Sequence, residues 1–269
     1  MHILKSIAPP FLWSIGSRIK RRLVRSTTLL EYAPRGWSTP LPGNTSSEDF
    51  WTAFIAQERA YSEALVARIR AREPLLQVEG DESAKYAVFG YVLALATRHQ
   101  SKISVLDYGG SLGDYYWLGR ALVPGVDLEY HCKELPRVVE AGRLTTPDVT
   151  WHTDDACLAR SYDLVMFSSS LQCLPEWQNI LHRAGQSARG YLLLSDVATV
   201  RDVPAYVATH RSGGQTGLLI HLNRSEIIAT AEQAGLRLVR EFDMGAYPPV
   251  VNAPEQPTCR GWLFQRQPV

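Results

Sequence analysis

The residues best suited to chemistry sit in one short run, Ile103-Ser-Val-Leu-Asp-Tyr-Gly-Gly-Ser-Leu-Gly113. An apolar stretch runs into a glycine-rich turn, and a helical segment follows. Glycines permit positive φ and let a ligand approach the backbone where a side chain would clash. Asp107 closes the apolar stretch, and Gly109, Gly110, Ser111 and Gly113 form the turn. A dinucleotide site would carry G-x-G-x-x-G spacing, which cradles a pyrophosphate on a helix N-terminus. An acid at the strand end would repel phosphate, but it suits a cationic amino-acid group. The charge therefore favours a ligand with an ammonium and no phosphate. A second apolar run, Leu128–Cys132, leads to Glu134, about 20 residues beyond the glycines, where an acid can accept both hydroxyls of a ribose. Singly, Asp107 reads as a turn acid and Glu134 as a carboxylate favoured by a helix dipole. Together with Asp155 at its interval, the three favour a cofactor site.

The elements that position these residues follow from periodicity. From Ile103 onward, apolar runs occur at Ile103–Asp107, Leu128–Cys132, Val149–His152, Asp163–Phe167, Tyr191–Ser195, Leu236–Glu241 and Trp262–Gln265. Helical or loop stretches separate them. Strands alternating with helices imply an α/β fold with a parallel sheet covered on both faces. Pro136 opens a helix after Glu134. The last helix has Asn223 as its cap, Glu226 three residues on and Gly235 at its end. Upstream, Ser46 and Asp49 mark a helix start, with Phe50, Phe54, Tyr61, Leu65 and Ile69 on one face up to Pro74. Another helix is expected over Ala84 to His99. The predicted organisation is an amphipathic basic segment at 1–30, a helical cover at 31–100, and the cofactor-binding domain at 101–269.

With 269 residues, 45% of them apolar, the chain can bury a large core. Lys plus Arg number 28 against 27 Asp plus Glu, a net charge of +1, which argues against a nucleic-acid footprint. The four cysteines, Cys132, Cys157, Cys173 and Cys259, show neither CxxC spacing nor clustering with His. They read as reduced thiols, not as a disulfide frame or a zinc site. No His/Asp/Glu cluster suggests a metal. The longest apolar run, Tyr86 to Ala96, is too short to span a bilayer. The N-terminus lacks a signal-peptide layout, because its charges follow its apolar residues, and a cytoplasmic location is expected.

Val105-Leu-Asp-Tyr-Gly-Gly-Ser-Leu-Gly113 resembles the first motif of class I S-adenosylmethionine-dependent methyltransferases, with Ser111 where many members have a second glycine. The resemblance implies S-adenosyl-L-methionine as cofactor, with Asp107 and the turn on its methionine part and Glu134, followed by Leu135, on its ribose. Asp155-Ala156 resembles the family's adenine contact, and Tyr162-Asp-Leu-Val-Met-Phe-Ser168 its fourth strand, whose tip faces the methyl group. Pro9-Pro10, Glu134-Leu-Pro-Arg-Val-Val-Glu-Ala-Gly142 and Ser169-Ser-Leu-Gln172 are similar to a methyltransferase family associated with bacterial polysaccharide and natural-product gene clusters. Cys173 departs from it, standing where an aromatic residue is expected. The implied fold is a Rossmann-like class I methyltransferase sheet, mostly parallel with its last strand antiparallel, with helices on both faces and an N-terminal helical extension.

Such a reaction is an in-line displacement that depends on holding the acceptor close and aligned. No covalent nucleophile is expected; a general base helps when the acceptor is a hydroxyl. Asp196, His210 and His221 are the candidate catalytic residues, His210 lying in a glycine-containing stretch read as a mobile lid. For each, a hydrogen-bonded or solvated structural role is the competing reading. Trp13, Trp37 and Trp51 are expected to roof the acceptor pocket or simply to be buried. The expected acceptor is a hydroxyl of a sugar or other small biosynthetic intermediate, or a glycan. A homodimer is compatible with this reading. An NAD-dependent oxidoreductase, or a non-catalytic methyltransferase-fold partner subunit, stay open as alternatives.

In residues 1–30, Phe11, Leu12, Ile15, Ile19 and Leu23 share a helical face edged by Arg18, Lys20, Arg21, Arg22 and Arg25. That pattern suits peripheral contact with an anionic membrane, and equally a helix docked on its own domain. Liposome co-sedimentation separates the two. Membrane contact predicts that the full chain sediments with anionic vesicles and a chain lacking residues 1–30 does not; equal sedimentation would end the membrane reading.

Overall fold

The computed structural model describes residues 29–39, 48–74, 81–212 and 215–267. The basic segment up to residue 28, including Trp13 and Pro9-Pro10, lies outside the described residues. In chain order the elements begin with β1 (Leu29–Tyr32), α1 (Glu48–Arg70), α2 (Asp81–Thr97), β2 (Lys102–Tyr108), α3 (Asp114–Leu122), β3 (Asp127–Lys133) and α4 (Pro136–Thr145). They continue with β4 (Thr150–His152), β5 (Tyr162–Ser168), α5 (Trp177–Ser187), β6 (Ala188–Val200), β7 (Tyr206–Ser212) and β8 (Gln215–Asn223). The chain closes with α6 (Arg224–Gln233), β9 (Leu236–Asp243), β10 (Val250–Val251) and β11 (Thr258–Arg266).

Each apolar run of the sequence has become a strand. β2 and β5 are buried along almost their whole length instead of alternating, as strands covered on both faces must be. The parallel order is β4-β3-β2-β5-β6. β11 then lies antiparallel between β6 and β9. On one face Phe89, Val92 and Leu93 of α2 pack over Val105, Tyr130 and Met166. On the other, Trp177 and Leu181 of α5 and Ile227 of α6 pack over Leu106, Val165 and Leu194. Chain direction through the sheet reverses between β2 and β5, so their carboxyl ends open the crevice where such sheets bind ligands.

The chain departs from the expected plan after Ser195. β6 runs beyond the end of β5, and its last residues, Thr199 and Val200, pair with Leu222 and Asn223 of β8. The stretch read as a mobile lid is therefore an antiparallel hairpin, β7 with β8. It is widened by β1, which pairs with β7 and β10. β1 also crosses the boundary at residue 30, so residues 29–32 belong to a sheet and not to a helical cover. The β7–β8 pairing is itself local, but the strand β1 and the edge offered by β6 that make it part of a sheet come from elsewhere in the chain and leave no periodic mark in the stretch.

Asn223 joins hairpin and domain. Its Oδ1 accepts the N–H groups of Ser225 and Glu226 at the start of α6, as its cap position predicts. Its Nδ2 donates to the carbonyls of Arg201 and Val203. Asn223→Ala should lower stability by at least about 1 kcal/mol from the lost cap, with the two carbonyls left unpaired adding to it. Urea unfolding measures this; an unchanged midpoint would mean the helix start is held by other contacts.

Candidate cofactor site

Between β2 and α3 the backbone turns through left-handed conformations at Gly109 (φ 80°), Ser111 (φ 52°) and Gly113 (φ 83°). Two glycines are required by packing. A Cβ on Gly109 would lie 2.4 Å from Cβ of Ser170, and one on Gly110 2.3 Å from Oδ2 of Asp107. The turn thus folds back over Asp107 and against the loop that follows β5. Ser111 takes the left-handed region with a side chain, and both its polar groups are tied. Its N–H donates to Oε1 of Glu134 (3.1 Å), and its hydroxyl donates to Oε2 of Glu58 on α1 (2.7 Å).

Four carboxylates surround this turn. Asp107 is fully buried; its Oδ2 accepts the Tyr130 hydroxyl at 2.9 Å, while Oδ1 has no hydrogen-bond partner among the described residues. Burial pushes its pKa up to about 7, with the neighbouring Glu134 and Asp114 adding to the rise and the Tyr130 bond opposing it. Desolvation also raises Glu134, although it accepts the Leu135 N–H at 2.8 Å as well as that of Ser111. Glu58 is buried, and Asp114 accepts the Ser62 hydroxyl. Glu134 and Asp114 are half-buried, and carboxylates crowded this closely are costly to ionise together without a cation.

A cleft of about 260 Å³ opens beside the turn, walled by Gly109, Ser111, Glu134, Leu135 and Ser168 on one side and Trp51 and Phe54 of α1 on the other. Tyr108, Lys133, Cys173, Leu174 and Leu218 also line it. A smaller cavity of about 50 Å³ adjoins it, sharing Gly109, Ser111 and Ser168 and adding Gly110, Lys85, Asp114, Leu118 and three tyrosines. Trp51, Phe54, Glu58 and Ser62 fall three, four and four residues apart, so one face of α1 lies along the site. Of the tryptophans expected as a roof, Trp51 lines the cleft, and Trp37 packs against the core under the hairpin.

Asp155 sits at the edge of this arrangement. Its carboxylate accepts the Tyr108 hydroxyl (2.5 Å) and lies 3.7 Å from Lys133 and 3.8 Å from Arg183. Tyr108 and Lys133 carry it to the cleft; Ala156 is exposed on the short helix beyond.

The three candidate bases are not brought together at the cleft, and none lines either cavity. Asp196 is buried at the end of β6, with φ of 58°. It is paired with Lys85 (2.7 Å), and it accepts from Ser169 and from the Cys259 thiol (2.8 Å). His210 and His221 lie on the hairpin face away from Leu218, as the pairing of Tyr206 with His221 and of His210 with Gly217 dictates. Burial pushes both down to about 3, so both are neutral. His221 stacks on Tyr206 at 4.7 Å and meets the edge of Tyr247 at 5.5 Å. Glu58, Lys85 and Leu218 were not singled out in the sequence. A helical spacing from Trp51 and Phe54 to Glu58 was the only available signal.

No protein-family profile and no curated protein sequence matches the chain. Solved structures do. A provisionally assigned sarcosine dimethylglycine methyltransferase from Galdieria sulphuraria is 14% identical, with a TM-score of 0.50 over 69% of this chain and 86% of its own. CalS10, an amino pentose methyltransferase from Micromonospora echinaspora, is 16% identical, covering 84% of this chain and 100% of its own with a TM-score of 0.49. The magnesium protoporphyrin IX methyltransferase of Synechocystis is 15% identical over 84% of this chain and 100% of its own, with a TM-score of 0.47. The fold is a Rossmann-like sheet of the class I methyltransferase type.

The raised pKa of Asp107 has a stability consequence. The folded chain keeps this proton up to about pH 7, whereas the unfolded chain releases it near 3.8. Between those values unfolding releases a proton, so this group makes stability fall as pH rises. Asp107→Asn keeps an acceptor for Tyr130 and removes the titration. Relative to wild type, the variant should gain on the order of a few kcal/mol between about pH 4 and about pH 7. Urea midpoints across that range measure the difference, and a constant difference would show that Asp107 titrates normally.

Proposed function

We propose that the chain is an S-adenosylmethionine-dependent methyltransferase with its cofactor held across the glycine turn. The observation that carries this is the set of carboxylates around Gly109–Gly113, Asp107 and Glu58 buried and Glu134 and Asp114 half-buried, above all Asp107 with one oxygen unpartnered among the described residues. Such a turn repels a pyrophosphate and favours a cationic amino-acid group, which disfavours a nicotinamide dinucleotide. A fold of the class I methyltransferase type adds to it.

In this reading Asp107 and the turn bind the methionine part, its ammonium answering the buried acids. Glu134, already fixed by two backbone N–H groups, accepts the ribose hydroxyls, and Leu135 packs beside it. Trp51 and Phe54 close the apolar wall over the adenosine, while Asp155 and Ala156 mark its adenine end. Bound there, the cofactor supplies an electrophilic methyl carbon. The chain's contribution is to keep water out, to place the acceptor near Ser168 at the tip of β5, and to hold it in line. The acceptor we favour is a hydroxyl of a sugar or small biosynthetic intermediate. Neutral His210 and His221 are in the form a base requires, and Asp196 is an anion held by Lys85; any of them serves only an acceptor that reaches beyond the two cavities toward the hairpin.

Calorimetric titration with S-adenosylhomocysteine tests the cofactor. Micromolar binding is expected, weakened about 1–3 kcal/mol by Glu134→Ala, with no binding of nicotinamide dinucleotides. Because a cation beside Asp107 lowers its pKa, binding near pH 6 should also release a proton, read from buffers of different ionisation enthalpy. No binding by the wild-type chain would remove the proposal. Binding without turnover on any hydroxylated acceptor would favour a non-catalytic partner subunit.

A further inference from the structure

The tip of β5 runs into three consecutive serines, Ser168, Ser169 and Ser170, and all three line the large cleft. Ser170 donates its hydroxyl proton to the carbonyl of Tyr108. Ser169 donates its own to Oδ2 of Asp196. A serine hydroxyl carries one proton and two lone pairs. With their protons engaged inside the protein, Ser169 and Ser170 can offer the cleft only lone pairs. Asp196 is buried and held 2.7 Å from Lys85, so the bond it accepts from Ser169 is charge-assisted and keeps that hydroxyl from rotating.

The backbone marks the same pair. Ser169 (φ 60°) and Asp196 (φ 58°) both take the left-handed conformation, although neither is glycine. Ser169 follows β5, and Asp196 stands beside it in β6, one residue after Ser195, the partner of Ser168. The Ser169 N–H also donates to the Ser195 carbonyl at 2.9 Å. A left-handed residue with a side chain persists only where its surroundings enforce it, and such strain gathers at sites that act on a ligand. Two of them bonded to each other fix where the Ser169 proton points. Beyond the serines the cleft wall is apolar at Leu174 and Leu218, and burial pushes the Cys173 thiol up, so it stays neutral. Lys133, the cation among the described lining residues, is already faced by Asp155 at 3.7 Å and by the Tyr108 ring at 4.5 Å.

We infer that this end of the cleft selects a neutral acceptor molecule with an apolar body, and that Ser169 is the residue selecting it by receiving its O–H. The inference rests on the methyltransferase reading above and narrows its acceptor. A hydroxyl that donates to Ser169 keeps its own lone pairs free on the side away from the serine. A carboxylate or an ether has no proton to give and meets lone pairs with lone pairs. Asp196 is a positioning residue that holds the Ser169 proton away from the cleft.

The test uses three probes of one ring, phenol, anisole and benzoate, titrated by NMR into the full chain loaded with S-adenosylhomocysteine. Wild type should bind phenol about 3- to 10-fold more tightly than anisole, the worth of one net hydrogen bond, and benzoate most weakly. Ser169→Ala should bring phenol and anisole within about 2-fold of each other, with anisole unchanged. Ser169→Gly, which suits the left-handed backbone and also lacks the hydroxyl, should do the same if the alanine variant fails to fold. Asp196→Asn presents an amide N–H to Ser169 and frees its proton, so the ratio should narrow there through tighter binding of anisole. A merely structural role for either residue would weaken both probes together and leave their ratio unchanged. Four results overturn the inference while bound S-adenosylhomocysteine keeps the cofactor reading standing. They are equal binding of phenol and anisole by wild type, a preference for benzoate, binding of no probe at millimolar concentration, and a wild-type ratio retained without the Ser169 hydroxyl. A wild-type ratio in Asp196→Asn overturns the positioning role of Asp196. Failure of wild type to bind S-adenosylhomocysteine removes the cofactor reading and the inference with it.

Discussion

A carboxylate folded beneath a glycine turn is the constraint on which this structure is arranged. Asp107 has no exposure, and the turn lies so close above it that any side chain at Gly110 would occupy the space of its Oδ2. The contact fixes the path from β2 into α3, and with it the direction of α3 and the position of Ser111. Tyr130 on the neighbouring strand satisfies one carboxylate oxygen. The other is left without a partner, a costly arrangement in a packed interior. A buried polar group left unpaired calls for an explanation beyond packing, and under the proposed cofactor reading the ligand's cation supplies it.

The N-terminal part is bound into that site. Helix α1 reaches the turn through Glu58 to Ser111 and Ser62 to Asp114. Ser111 stands where glycine would be free of strain, and its hydroxyl bond to Glu58 offsets part of the cost of its left-handed backbone. The cleft consequently has one wall from the sheet and one from α1. A sheet domain cut at residue 101 would have its turn but neither the aromatic wall nor Lys85.

The hairpin after β6 gives the opposite side of the cleft its character. Its alternation places Leu218 toward the cleft and His210 and His221 on the other face, beside Tyr206 and Tyr247. Two neutral imidazoles in an aromatic setting and an aspartate pinned by lysine are each far from the environment of a solvated side chain. Their protonation states follow from burial and pairing, which residue type alone does not fix.

Much of this was readable in the sequence where a signal is local. The seven apolar runs of the sheet, the turn at Asp107–Gly113, Pro136 at a helix start and Asn223 at a cap all depend on neighbours a few residues away, so periodicity and residue type suffice. The interval from the turn to Glu134 was equally legible, because a strand-helix-strand unit has a nearly fixed length. Tertiary structure decided the rest. β1 pairs with β7 across about two-thirds of the chain's length, Thr209 bonding to the carbonyl of Glu31 at a separation of 178 residues. Glu58, Lys85 and Asp196 acquire meaning only when three elements meet around one turn. A glycine-rich stretch could not be distinguished from a hairpin until β6 was seen to outrun β5 and offer it an edge. Local patterns specify which element a segment forms; which elements share a cavity depends on long-range burial, and no short stretch of sequence records that.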